Sequence, residues 1–224
     1  MSDRVAEILL DSFSKILIPG LTATIPLAVI SFAIALVIAV AVALVQYARV
    51  PVLTQVARFY IWIVRGTPLL VQLYVVFYGL PDFGIVLDPF PSAVIVFSIN
   101  TGAYSAETIR GALESVPAGQ LEAGYCVGMS YMQVMCRILL PQALRAAFPP
   151  LSNELIALVK DTSLAANITV LEMLMATQQI VSRTYEALPL YLEVAAIYLM
   201  FSTVLTWLQG IGEKRLASFG MERG

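Results

Sequence analysis

The sequence predicts an all-α integral membrane protein with about five membrane crossings, and three observations carry that prediction. The chain is 59% hydrophobic and 12% charged, with a mean hydropathy of +0.85, whereas soluble domains devote about a quarter of their residues to charge. Uncharged runs long enough to span a bilayer recur along its length. Basic residues gather in alternate connections between those runs, as they do where short loops stay on the cytoplasmic side. The same composition excludes other classes. A formal charge of −2 leaves no basic face for nucleic acid. Histidine is absent, which removes the commonest proton shuttle and metal ligand, so no metal site is expected.

Taken in order, the N-terminal Met-Ser-Asp-Arg leads into an amphipathic stretch from Val5 to Lys15. The apolar run that follows is far longer than a signal h-region, so this end is expected to be retained. Ile16 to Gln46 contains no charged residue and is the first crossing, loosened at its start by Pro19, Gly20 and Pro26. Arg49 and Arg58 mark a positive connector. Ala57 to Leu80 is a second crossing, interrupted by Arg65-Gly66-Thr67-Pro68, with Thr67 as the candidate N-cap and Pro68 opening the new turn. From Pro68 to Leu80 a helix rises only about 20 Å, short of the roughly 30 Å core, so the break falls within the membrane or at its inner edge.

A base-free turn with Asp82 and Asp88 precedes the third crossing, Pro91 to Leu113. A polar segment of about 115–141 separates it from the fourth, Ala147 to Ala165, which Pro149 and Pro150 are expected to launch. Asn167 to Leu188 is more polar and reads as a helix on the outer surface. Leu190 to Gln209 is the fifth crossing, followed by a tail carrying Lys214, Arg215 and Arg223. With the basic connections inside, the N-terminus lies outside and the C-terminus inside. The 224 residues read as a single transmembrane domain without repeats.

Polar groups inside the apolar runs are the candidates for solute contact, because they are costly in lipid and must face the interior. They are Thr67 and Gln72 at the interrupted helix, Asn100 with Tyr104 one turn on, and Lys160, Asp161 and Thr162 in the fourth crossing. A zwitterionic amino acid would offer a carboxylate to Lys160 and an ammonium to Asp161; internal ion pairing is the competing use. Helix breaks likewise serve either as solute sites or as shielded kinks. Glu107 and Arg110 are spaced to pair structurally. Glu154 shares a face with Asp161.

Between crossings three and four, Pro117 and Gly119 open a short polar island. Gly128 is placed to stop one helix in the left-handed conformation before a second begins, and Pro141 closes the segment. Such a helix-turn-helix is too short to span, but it can lie at the surface and present Leu121, Tyr125, Met129 and Met132 to another protein. Cys126 and Cys136 both lie in this island, expected cytoplasmic, so no disulfide is expected.

Glu122-Ala123-Gly124, then Gly128, then Ile138-Leu139-Leu140-Pro141, resembles the cytoplasmic EAA loop of ABC-importer permeases, with Gly124 where the family usually has a second Ala. The blocks Arg65 to Gln72, Asn100 to Arg110 and Leu158 to Leu164 are similar to those of the bacterial polar amino acid uptake permeases. Tyr78 to Ala93 and Pro150 to Asn153 are most similar to L-cystine permeases; Glu154 departs from that pattern and leaves a preference for basic amino acids open.

The resemblance implies a permease subunit, not an enzyme, for an ATP-driven importer in the bacterial inner membrane, of L-cystine in the first place, or else of basic or other polar amino acids of the glutamine, arginine or histidine type. It implies alternating access driven by a separate ATPase dimer, with Glu122, Ala123, Gly124, Tyr125, Gly128 and Met129 coupling to it. It also implies an extracytoplasmic solute-binding protein and a second permease subunit, a homodimer favoured over a heterodimer. No cofactor is expected in this chain; ATP and Mg belong to the partner, since no phosphate-binding G-x-x-x-x-G-K-[ST] occurs here. A proton-driven secondary transporter and an intramembrane enzyme using Lys160 and Ser163 are remoter readings.

Overall fold

The computed structural model describes residues 3–221, with side chains as far as Leu216. Every regular element among the described residues is helical: α1 (Asp3–Pro19), α2 (Ile25–Tyr47), α3 (Pro51–Arg65), α4 (Leu69–Tyr74), α5 (Pro89–Glu114), α6 (Ala118–Cys126), α7 (Tyr131–Val134), α8 (Leu140–Asp161), α9 (Met173–Thr184) and α10 (Ala187–Met221). Asp3–Tyr47 and Ala187–Leu216 are each long and apolar enough to cross a membrane. Pro51–Arg65 with Leu69–Phe83, and Tyr131–Ile168 with Met173–Thr184, qualify when each bent pair counts as one span. At 26 residues α5 has the length, but Asn100, Thr101, Gly102, Tyr104 and Ser105 dilute the apolar character of its centre.

Local chemistry explains where the helices yield. Gly20–Thr24 is a π-helical turn joining α1 to α2. Pro26 has no N–H to give, and the ladder is re-registered so that the Ile25 N–H reaches the Gly20 carbonyl. At the second break the N-cap is Pro68, not Thr67: Pro68 is extended and its carbonyl accepts from the Gln72 N–H at 3.1 Å. A residue preceding proline is driven out of the helical region, which places Thr67 outside the new helix.

Three other boundaries are corrected. Pro141, Pro149 and Pro150 neither close the island nor launch a helix, because one helical run continues from Tyr131 to Ile168 through all three. Its stripe at four-residue spacing, Met135, Leu139, Ala143, Ala147 and Leu151, packs against Ala112, Leu113 and Val116, and that packing offsets the cost of the missing N–H groups. The polar stretch read as one helix from Asn167 to Leu188 is the end of a 3₁₀ turn (Thr162–Ile168), a tight link with Thr169 left-handed, then α9 and the first residues of α10. Lys214 and Arg215 belong to α10 and not to a tail; Arg223 lies outside the described residues.

The chain divides into two compact units. The first comprises residues up to Ala33, Thr67–Ser98 and Leu155–Thr206. Its core is built on Ile16, Leu27, Leu73, Phe97, Ile168 and Met173, all fully buried. Gly20 lies where a β-carbon would come within 2.7 Å of the Met173 sulfur and 2.9 Å of Phe201, so glycine permits that approach. The second unit comprises Ile34–Gly66, Ile99–Glu154 and the chain from Trp207. Ala39, Ala103 and Ala106 pack with Ile61 and Val64. Small residues at such contacts bring backbones close, and dispersion rather than water exclusion then holds helices together in lipid.

Candidate functional site

The island folds as a helical hairpin of the second unit, with both helix ends capped locally. α6 ends in a Schellman motif: the Met129 N–H reaches the Gly124 carbonyl at 3.1 Å, the Gly128 N–H reaches Tyr125 at 3.0 Å, and Gly128 sits at φ +79°. α7 opens with a capping box in which Gln133 Oε1 accepts from the Ser130 N–H at 2.9 Å and Ser130 Oγ accepts from the Gln133 N–H at 3.4 Å. That Ser-x-x-Gln spacing was legible in the sequence, although the reading above did not use it.

Gly124, the departure from the EAA pattern, is where the hairpin closes. It is buried, and a β-carbon there would come within 2.9 Å of Val134 and 3.0 Å of Ile138. Glu122 and Ala123 are exposed, and Tyr125 is 46% exposed. Met132 is exposed as expected, and Val127 and Tyr131 join it on the open surface. Leu121 and Met129 are half-buried and turn inward, Leu121 onto the Leu113–Leu139 cluster and Met129 towards Gly124.

The intramembrane polar residues fall into local groups. In the first unit Gln72 Nε2 donates to Thr67 Oγ1 at 2.9 Å and to the Thr67 carbonyl at 3.1 Å, so these two satisfy one another across the helix break. Lys160 and Asp161 are exposed at the end of α8, and among the described residues neither is in a salt bridge. Thr162 is fully buried and donates its hydroxyl to the Val159 carbonyl at 2.7 Å, which commits it to packing. In the second unit Asn100 is 9% exposed, Tyr60 donates to the Ile99 carbonyl at 2.6 Å, and the Arg65 guanidinium lies 4.9 Å from the centre of the Tyr104 ring.

Some charges elsewhere in the second unit are matched by nearby side chains. Arg110 pairs with Glu107 at 2.8 Å, as its spacing foretold, and also with Glu114 at 2.8 Å. Glu154 accepts from the Ser105 hydroxyl and from Thr108 Oγ1, the latter at 2.6 Å. One fully buried carboxylate has a role that its sequence context did not assign. Glu172, with no exposed surface, caps α9 by accepting from Leu174 N–H at 2.9 Å and Met175 N–H at 2.7 Å, and accepts from Tyr198 at 2.8 Å. Glutamate is not among the usual N-capping residues and its partner lies 26 positions on, so only its place before an apolar run hinted at the role.

Helices of membrane length, joined to a locally capped hairpin with an exposed face, make this an integral membrane protein. The chain belongs to the family of binding-protein-dependent transport system inner membrane components, whose model matches residues 35–218. Over 211 residues it is 46% identical to the L-cystine transport system permease protein TcyB of Bacillus subtilis (strain 168), covering 94% of this chain and 90% of that one. It is 36% identical to the nopaline transport system permease protein NocM of Agrobacterium fabrum, at 92% and 90% coverage. Among solved structures, an amino acid ABC transporter crystallised with histidines superposes with a TM-score of 0.88 at 31% identity, over 96% of this chain and 99% of that one. These relatives are permease subunits and not enzymes.

Proposed function

We propose that this chain is the membrane-spanning subunit of an ATP-driven amino acid importer, with L-cystine as its cargo. The observation that carries the reading is the hairpin of α6 and α7, doubly capped and displaying Glu122, Tyr125 and Met132, on a chain of this family that holds no nucleotide-binding motif of its own. The hairpin docks onto a separate ATPase dimer, where ATP and Mg reside. It lies on the cytoplasmic side, with about five crossings, the N-terminus outside and the C-terminus inside. A second copy of the chain completes the pathway, a solute-binding protein delivers cargo, and the assembly sits in the bacterial inner membrane. Closure of the ATPases moves the hairpins and drives alternating access.

Lys160 and Asp161, exposed and outside any salt bridge among the described residues, are the groups assigned to the cargo's carboxylate and ammonium. The resemblance to TcyB supports cystine. The alternative of a basic cargo leaned on Glu154, and the two hydroxyls bonded to that carboxylate weaken it.

The test is uptake of labelled L-cystine into proteoliposomes holding the chain with its ATPase and binding protein. Uptake is expected to require ATP, to resist excess unlabelled arginine and to fall to background in Glu122→Lys. Unchanged uptake in that variant would remove the hairpin from the coupling role.

A further inference from the structure

The second unit contains a cleft of about 670 Å³ that the transport reading does not use. Its lining includes Arg49, Gln55, Arg58, Trp62, Glu107 and Glu114. Arg110, also on its wall, is held by both glutamates, so that trio carries one excess negative charge. Arg49 and Arg58 form no salt bridge among the described residues. They leave the cleft with a net charge of +1 and two cations without an anion.

The backbone supplies an independent observation. α2 ends in the same motif that ends α6: the Val50 N–H reaches the Val45 carbonyl at 3.4 Å and the Arg49 N–H reaches Gln46 at 3.2 Å. The left-handed position is filled by Gly128 in the hairpin and by Arg49, at φ +53°, here. A long side chain is disfavoured in that conformation, and strain of this kind points to a demand on the side chain. The cleft is where that side chain lies.

The faces of α3 then specify the ligand. Thr54, Ala57, Ile61 and Val64 are buried. Gln55, Arg58 and Trp62, at four- and three-residue spacing, face the cleft. Immediately beside them Val52, Val56, Phe59 and Ile63 form an exposed apolar stripe, and Trp62 itself is 69% exposed. A charged recess beside an apolar stripe, with tryptophan at the boundary, matches a molecule that is anionic at one end and hydrocarbon at the other.

We propose that this cleft binds the phosphate headgroup of an anionic phospholipid, with Arg49 and Arg58 on the phosphate, Gln55 as an added donor and the acyl chains along Phe59 and Ile63. A soluble anion would use the recess but not the stripe. A protein partner would need an acidic side chain against the recess and an apolar face against the stripe.

The test is titration of the full-length chain in zwitterionic detergent with phosphatidylglycerol, phosphatidylcholine and free glycerol 3-phosphate. Phosphatidylglycerol is expected to bind most tightly and to weaken with salt. Its affinity should fall about fivefold in Arg49→Gly or Arg58→Gln and roughly 25-fold in the double variant. Arg49→Gly releases the left-handed strain, so its melting temperature without lipid should not fall, which separates lost binding from lost folding. With Trp207→Phe, brominated phosphatidylglycerol should quench Trp62. Equal affinity for both lipids, or retained affinity in the double variant, overturns the proposal. So does glycerol 3-phosphate binding as tightly as the lipid. Variants that keep lipid affinity but lose co-purification with the ATPase would make the cleft a subunit contact and overturn it as well.

Discussion

Replacing Gly128 tests whether the hairpin's order is what transmits force. The residue lies at φ +79°, with nothing within 4 Å of where a β-carbon would stand, so a substitution acts through backbone conformation and not through a clash. An L-residue held left-handed costs about 1–2 kcal/mol, and the β-branched valine lies at or above the upper end. Gly128→Val should therefore destabilise the hairpin by about 2 kcal/mol, which is roughly 30-fold in its opening equilibrium. Asparagine tolerates the conformation, so Gly128→Asn should sit near the parent. Hydrogen exchange of the purified complex reads this directly. Amides at Gly128 and Met129, which close the motif, should exchange roughly 30-fold faster in the valine variant, while the Phe97–Met173 core stays protected. ATP-dependent uptake should drop in step. Unchanged exchange would show that the left-handed stop does not hold the hairpin; faster exchange with full uptake would show that its order is not what couples.

Two further outcomes follow from packing. Glu172→Ala removes two backbone caps and the carboxylate to which the Tyr198 hydroxyl donates, at a cost of about 2–4 kcal/mol in denaturant unfolding of the micellar protein. Glu172→Gln should cost about half as much, and Tyr198→Phe should add little in the alanine background; fully additive losses would refute the shared network. Gly212→Ala drives a methyl group into the Phe148 ring and should cost about 1–3 kcal/mol, recovered in part by Phe148→Ala. No recovery in thermal melts of the double variant would mean that the ring is not the obstacle.

Much of this was written locally. The interruption at Arg65–Pro68, the stop at Gly128 and the Glu107–Arg110 pair each depend on groups within a turn of one another, so spacing alone revealed them. The prolines of α8 misled for the complementary reason. Proline predicts a boundary when a helix stands alone, but here the stripe from Met135 to Leu151 packs on α5 and holds the run together. Glu154 invited a role with cargo until Ser105 and Thr108, 49 and 46 positions away, were seen to meet it.

By itself, then, the sequence determined the solvent this chain lives in, because composition and uninterrupted apolar length are sums over residues that no fold can alter. It also determined the local breaks and caps, whose atoms lie within one turn. Only tertiary structure decided which polar groups are consumed by packing, as with Thr162 and Glu172, and which stay open, as with Lys160, Asp161, Arg49 and Arg58. The physical reason is distance along the chain. In a low-dielectric interior the state of a polar group also depends on partners brought from far along the chain, as Tyr198 is to Glu172 and Ser105 to Glu154.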